Sequence, residues 1–392
     1  MKHLPIQLPS GAAFYHLLPP DHERAIRAAA AANRPLLVRG EPGLGKSQLA
    51  YAAASLLGRK LISYTISAST EAQDLLWSFD AVKRLAEAQV AAHTLRIVRE
   101  SEASEDDLKK PEDLTRDHES KDPWLEAEAK LRERIDVKKF VLPGPLWWAI
   151  DWETANDANR ERLAQSPVPV SDSANDWNPE YGLVILIDEI DKAESSVPNG
   201  LLEVFGARQL QPPGWPEPIV SKPNTKSPLV IITTNEERML PTAFIRRCFV
   251  LELDLIPCVD SQGNPVRDAD KDRFIEYFVA LGKAHFDGKA PDDGKEAISK
   301  DKLPESLYQE AAEMLFEDRC EAIRSQAIWK PGPAEYVDLL CAVKEWEGDI
   351  DVEKDSKPSR ASSRRTKRSA KEYKELCQSL RRFALKKNVT TR

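Results

Sequence analysis

The run Gly40-Glu41-Pro42-Gly43-Leu44-Gly45-Lys46-Ser47, followed by Gln48, fits the pattern G-x-x-x-x-G-K-[ST]. Its residue types suit one task, the holding of a polyphosphate. Gly40, Gly43 and Gly45 let the backbone take conformations closed to other residues, so consecutive N–H groups can face phosphate oxygens. A helix opening at Lys46 adds its partial positive charge. Lys46 can reach the β- and γ-phosphates, and the Ser47 hydroxyl can ligate Mg²⁺. The flanks agree. Pro35-Leu36-Leu37-Val38 reads as a short strand, and Gln48 to Ala54 is rich in strong helix formers.

A second constellation complements the first. Leu183-Val184-Ile185-Leu186-Ile187 runs straight into Asp188 and Glu189. A continuous apolar run of this length fits a strand covered on both faces, as in a parallel sheet. Carboxylates at its end would lie where α/β sheets bind ligands. Asp188 would hold Mg²⁺ directly or through water, and Glu189 would polarise an attacking water.

The elements that must position these groups can be read along the chain. Asp21 to Asn33 reads as a helix capped by Asp21. The P-loop helix spans about Lys46 to Leu57, with Gly58 as its stop. Leu61–Ile66, Leu229–Asn235 and Phe249–Leu253 read as further strands. With the two strands above they give five, the content of a parallel sheet between helices. Asp74 to Val98 reads as one long helix, because Leu75, Leu76, Phe79, Val82, Leu85 and Ala86 recur at three- and four-residue steps. Residues 99–139 read as a solvated acidic insertion, part disordered and part helical, either a surface loop or a partner-docking element. Leu146 to Ile150 begins a helix with adjacent tryptophans, Trp147 and Trp148. These face different sides of a helix, so one would be exposed for a partner, or both would pack from a loop edge. A second polar loop covers about 160–180. Beyond about Pro257 only helices appear: Asp272–Gly282, Pro304–Phe316 and Pro333–Trp346. The resulting division is an α/β domain over 1–256, a small all-α domain over 257–348, and a basic tail over 349–392 with a helix at Lys371–Lys387.

Composition bounds the compartment. The net charge is -8, yet from Ile350 onward there are about 14 Lys/Arg against about 5 Asp/Glu, so the rest is more acidic than the total. No run of about 18 apolar residues is present, which argues against a membrane span. The proline-containing start does not resemble a signal peptide. The five cysteines, Cys248, Cys258, Cys320, Cys341 and Cys377, have no C-x-x-C spacing. A zinc site or disulfide framework is therefore not expected, and a reducing cytoplasm is.

GEPGLGKSQLA, VILIDEIDKAESSVPNGLLEVF, TTNEER and LPTAFIRRCFVLEL stand in an order that resembles the AAA+ ATPases, and within them the bacterial MoxR-type branch. The helix around Phe79–Leu85 and the Pro143–Trp148 loop resemble that branch too. The resemblance covers roughly Phe14 to Trp346. It implies a P-loop NTPase fold with an α-helical lid, ATP and Mg²⁺ as cofactors, and hydrolysis of ATP. It gives Asn235 the role of sensor 1, orienting the lytic water beside Glu189. It makes Arg247, with Arg246 beside it, the arginine finger that acts on the nucleotide of a neighbouring subunit. Such a finger requires an oligomer, and the family suggests a hexamer. The family's sensor 2 Arg or Lys has no clear counterpart. Lys330 is the candidate substitute. Tyr15 could stack on adenine or pack in the core.

Two functions from different classes follow. The first is an ATPase ring that remodels a separate partner protein, frequently one bearing a von Willebrand factor A domain. The second is the ATPase motor of a nucleic-acid-directed or defence system, with the basic stretch Arg360–Lys371 on phosphates. That stretch lacks interleaved aromatics, and a solvated tail or a contact to an acidic patch is the plainer reading.

Overall fold

A computed structural model describes residues 1–8, 13–106, 123–160, 181–222, 226–259, 266, 268–286, 303–349 and 370–385. Residues 107–122 of the acidic insertion, 161–180 of the polar loop, and 350–369 and 386–392 of the basic tail lie outside this set. The chain divides into two compact units. One comprises Met1–Leu61, Leu229–Met239 and Ile245–Arg392; the other comprises Ile62–Pro228 and Leu240–Phe244.

The first unit opens with an antiparallel pair, β1 (Lys2–Gln7) and β2 (Ala13–Leu18), in the register Lys2 to Leu18. Helix α1 (Pro20–Ala32) follows. Its N-cap is Pro19 rather than Asp21, which lies in the first turn, and Asn33 closes it in the left-handed conformation. Then come β3 (Leu36–Arg39) and α2 (Lys46–Leu57, ended by left-handed Gly58), and β4 (Lys60–Thr65) begins in this unit and runs into the second.

The second unit holds a 3-10 turn (Ala72–Leu75), β5 (Trp77–Phe79), α3 (Ala81–Asp106), α4 (Pro123–Arg134), β6 (Val141–Pro143), α5 (Pro145–Ile150) and α6 (Trp152–Arg160). It continues through β7 (Leu183–Asp188), α7 (Ser196–Ala207), β8 (Gln209–Leu210) and β9 (Ile219–Val220). The chain then supplies β10 (Leu229–Thr234), α8 (Thr242–Ile245) and β11 (Phe249–Glu252). Helices α9 (Asp268–Phe286), α10 (Glu305–Arg324), α11 (Pro333–Asp349) and α12 (Ala370–Ala384) complete it.

The five predicted strands form one sheet in the order β11-β3-β10-β7-β4. β3 pairs in parallel with β10 on one side and β11 on the other. All six residues of β10 are buried, as are the first five of β7. That is why neither shows the alternation of a half-exposed strand.

The helix expected over Asp74–Val98 starts later, at Ala81. Residues 72–79 instead make the 3-10 turn and β5, which pairs antiparallel with β6. Asp80 starts α3 by accepting from the Lys83 amide at 2.8 Å. Apolar spacing ran on across this break because β5 and the turn happen to continue the three- and four-residue steps. The steps did not mark a buried face either: Val82 and Leu85 are exposed.

Trp147 and Trp148 are both buried, which decides between the two readings of that pair. Helix α5 has only six residues and is covered on more than one side. Trp147 meets Trp215 edge-on at 5.1 Å and donates from Nε1 to Thr154 Oγ1 at 3.0 Å. Trp148 tilts against Trp152 at 4.6 Å. Each indole removes about 200 Å² from water, so this cluster contributes a large share of the unit's apolar burial.

In the first unit, α9, α10, α11 and α12 share one apolar cluster that includes Phe274, Phe278, Tyr308, Leu315, Tyr336, Leu340, Tyr373 and Cys377. Tyr15 and Leu17 of β2 pack on Ala284 of α9, so Tyr15 is a core residue and not a free stacking platform.

Candidate nucleotide site

The P-loop connects the end of β3 to the start of α2. Gly40 has φ +144°, a conformation that side chains rarely adopt, and a Cβ there would stand 2.6 Å from the Leu253 carbonyl oxygen. Gly43 has φ +81°, with Ala334 3.2 Å from where its Cβ would be. Gly45, also left-handed, caps α2 without a side chain. The first-turn amides of α2 therefore receive no bond from their N-cap, and that end of the helix favours an anion. Lys46 is buried, and its ammonium donates to the Gly40 and Glu41 carbonyls at 2.7 and 2.9 Å. Ser47 and Gln48 are in the first turn of α2, and Pro42 is exposed at the loop tip with Leu44 half-buried behind it.

Glu41 has partners that the sequence did not disclose. Arg319 of α10 donates from Nη2 to Glu41 Oε2 at 2.6 Å and from Nη1 to the Pro331 carbonyl at 2.9 Å. Lys330 donates to Glu41 Oε1 at 3.0 Å. Burial pulls the Glu41 carboxyl upward, and the hydrogen bonds and charges of Arg319 and Lys330 more than reverse that, leaving it below the usual carboxylate range. A hint lay in α10, where Asp318-Arg319 interrupts a face otherwise built of Leu315, Phe316, Cys320 and Ala322. A charged pair there needs partners.

Asn235 follows β10. The last pair of the ladder, Thr234 with Arg39, stands just before Asn235 on one strand and just before the P-loop on the other. It is half-buried. Thr234 is buried and accepts from the Glu236 amide at 2.9 Å, which turns the chain immediately after Asn235.

In the second unit, β7 carries Asp188 at its last position and Glu189 just beyond, both half-buried. The Asp188 carbonyl accepts from Ile66 N at 2.9 Å, which fixes the strand end. Glu189 is held at φ +61°, ψ +49°. This left-handed conformation is costly for a residue with a Cβ, about 1–2 kcal/mol. Its carboxylate is paired with Lys192 at 2.5 Å.

Arg246 and Arg247 lie between α8 and β11, both exposed. The Arg246 carbonyl accepts from Arg34 at 3.5 Å.

The donor set fits the groups that the motif implies. Ser47 in the first unit offers a hydroxyl and Asp188 in the second a carboxylate, each by itself a hard oxygen ligand of the kind that Mg²⁺ takes. Lys46 and the positive end of the α2 dipole suit a polyphosphate.

Residues 35–116 match the family described as AAA domain (dynein-related subfamily). No curated protein matches the chain. Among solved structures, the Thermotoga maritima RuvB Holliday junction branch migration motor is 12% identical, covering 93% of this chain and 67% of that one at a TM-score of 0.38. A Cytophaga hutchinsonii protein assigned as an ATPase is also 12% identical, covering 93% of this chain and 80% of that one at a TM-score of 0.31. Superpositions this loose leave the site to be read from the chain's own residues. The matched stretch contains the P-loop with the strand and helix that flank it, and the five-stranded parallel sheet is the kind of fold in which such a loop sits.

Proposed function

We propose that this protein is a Mg²⁺-dependent ATPase of the MoxR type that works as an oligomeric ring, a hexamer, and remodels a separate partner protein, of the class bearing a von Willebrand factor A domain. The observation that carries the ATPase reading is the P-loop itself, with Lys46 drawn into the loop by two of its carbonyls. Lys46 and the first-turn amides of α2 bind and orient the β- and γ-phosphates. Ser47 and Asp188 would hold Mg²⁺, which when bound would offset phosphate charge. Glu189 takes a proton from the attacking water as its oxygen bonds to the γ-phosphorus and the bond to the ADP oxygen breaks. For this, Glu189 exchanges its contact with Lys192 for one with the water. Asn235, held by the turn at Thr234, orients the same water. Arg247 acts in trans, with Arg246 beside it as a positioning neighbour.

Support for the trans role comes from exposure. Both arginines are presented to solvent, where a neighbouring subunit could receive them. Subunit complementation tests it. A variant with Lys46→Met cannot turn over its own nucleotide but supplies a finger; Arg247→Ala has an intact P-loop and lacks one. Mixing the two inactive proteins should restore a fraction of the turnover. If each variant is inactive and the mixture stays so, the trans finger is wrong.

A further inference from the structure

We propose that Arg319 and Lys330 are positioning residues for the nucleotide: they neutralise the Glu41 carboxylate, so that this acid does not repel a polyphosphate held by the P-loop. This rests on the reading of the loop as a nucleotide site. Glu41 is an acid inside a loop whose task is to hold a highly charged anion, and a bare carboxylate there would repel it. Two cations converge on it, one on each oxygen, at 2.6 and 3.0 Å.

The two cations are not equivalent. Arg319 is buried, and its second nitrogen is fixed by the Pro331 carbonyl, so its guanidinium reaches Glu41 already oriented. Lys330 is more exposed. The surrounding backbone is tied to the loop as well. Ala334 lies against Gly43, and the buried Glu335 accepts from the Gly332 amide at 2.9 Å with that same oxygen 3.8 Å from where a Gly43 Cβ would stand. The preceding residue of α10, Asp318, is clamped by Arg381 of α12 at 2.7 Å from both its oxygens. Helix α10 therefore holds α12 with one residue and the P-loop with the next. The contact with Glu41 joins residues 278 positions apart in the chain.

The experiment measures equilibrium binding of Mg·ATP and of inorganic triphosphate to the full chain. Binding by the unsubstituted protein is established first; its absence would sink the site reading and not this inference alone. Arg319→Met should weaken both ligands about five- to tenfold, and Lys330→Met about twofold. Adding Glu41→Gln should bring either variant within about twofold of Glu41→Gln alone, because the charge to be neutralised is gone. A purely structural role for Arg319 predicts no such rescue. Arg319→Met/Glu41→Gln as weak as Arg319→Met would therefore overturn the proposal. So would unchanged affinity in both Arg319→Met and Lys330→Met. Lys330→Met alters an exposed side chain, and its result stands even if Arg319→Met folds poorly.

Discussion

Removing Arg381 should release α12 from the helical cluster, and the size of the effect can be worked out from its surroundings. Its guanidinium makes bonds of 2.7 Å to both Asp318 oxygens and 3.0 Å to Glu317. The Asp318 side chain is 2% exposed, whereas Glu317 is 63% exposed. The Glu317 bond is thus a surface contact of a few tenths of a kcal/mol. The Asp318 pair is different, because Arg381→Met would strip a buried carboxylate of two charge-assisted hydrogen bonds. Breaking a fully buried pair costs about 3–5 kcal/mol. Arg381 is itself 24% exposed, so solvent screening brings the expected loss to about 2–3 kcal/mol. Amide hydrogen exchange across residues 370–384 reads this locally. The α12 amides should exchange about 30- to 150-fold faster if they open by local release of the helix. Glu317→Gln should leave them almost unchanged, and Asp318→Asn in the Arg381→Met background should recover part of the protection. Unaltered α12 exchange in Arg381→Met would refute the claim that this pair holds the helix.

Three further outcomes can be checked in the same protein. His16 and His285 are both half-buried, and burial lowers each to about 4 from 6.5. The unfolded chain therefore binds protons first as pH falls. Their contribution to stability is full above about 6.5 and is lost as pH falls toward about 4, so the denaturation midpoint should drop through that window, and the drop should shrink in His16→Gln/His285→Gln. Gly282→Ala would place a Cβ 2.6 Å from the Tyr308 ring and 2.9 Å from the Tyr336 hydroxyl, both within the core. A loss of about 1–3 kcal/mol is expected in thermal melting. Lys192→Met frees Glu189 from a partly exposed ion pair worth at most about 1 kcal/mol, so saturated ATP turnover should rise by no more than about fivefold. A fall in turnover would show that Lys192 assists Glu189 instead of restraining it.

What the sequence made legible was local. The P-loop, its flanking strand and helix, and the Asp188–Glu189 strand end are each contiguous, and short-range geometry dictates them. The five strands were readable because β7 and β10 are buried on both faces and so appear as unbroken apolar runs. Contacts between distant segments were not legible. The β1–β2 hairpin was missed because residues 2–7 contain a proline and lack clean alternation; its packing against α2 and α9 decides it. Trp147 and Trp148 were ambiguous until Trp215 and Trp152 arrived to cover them. The helix expected from Asp74 failed because apolar spacing alone does not register a break when a strand residue falls on the same step. Arg319 could be flagged as a charge on an apolar helix face, but nothing local pointed to Glu41.

The central claim, a ring of AAA subunits with a trans-acting finger, is tested most directly by the solution mass of Glu189→Gln with and without Mg·ATP. This variant should bind nucleotide without hydrolysing it. Adding Mg·ATP should shift it from monomer to a ring-sized species, and Arg247→Ala in the same chain should abolish that shift. A protein that binds Mg·ATP and stays monomeric at every concentration would contradict it.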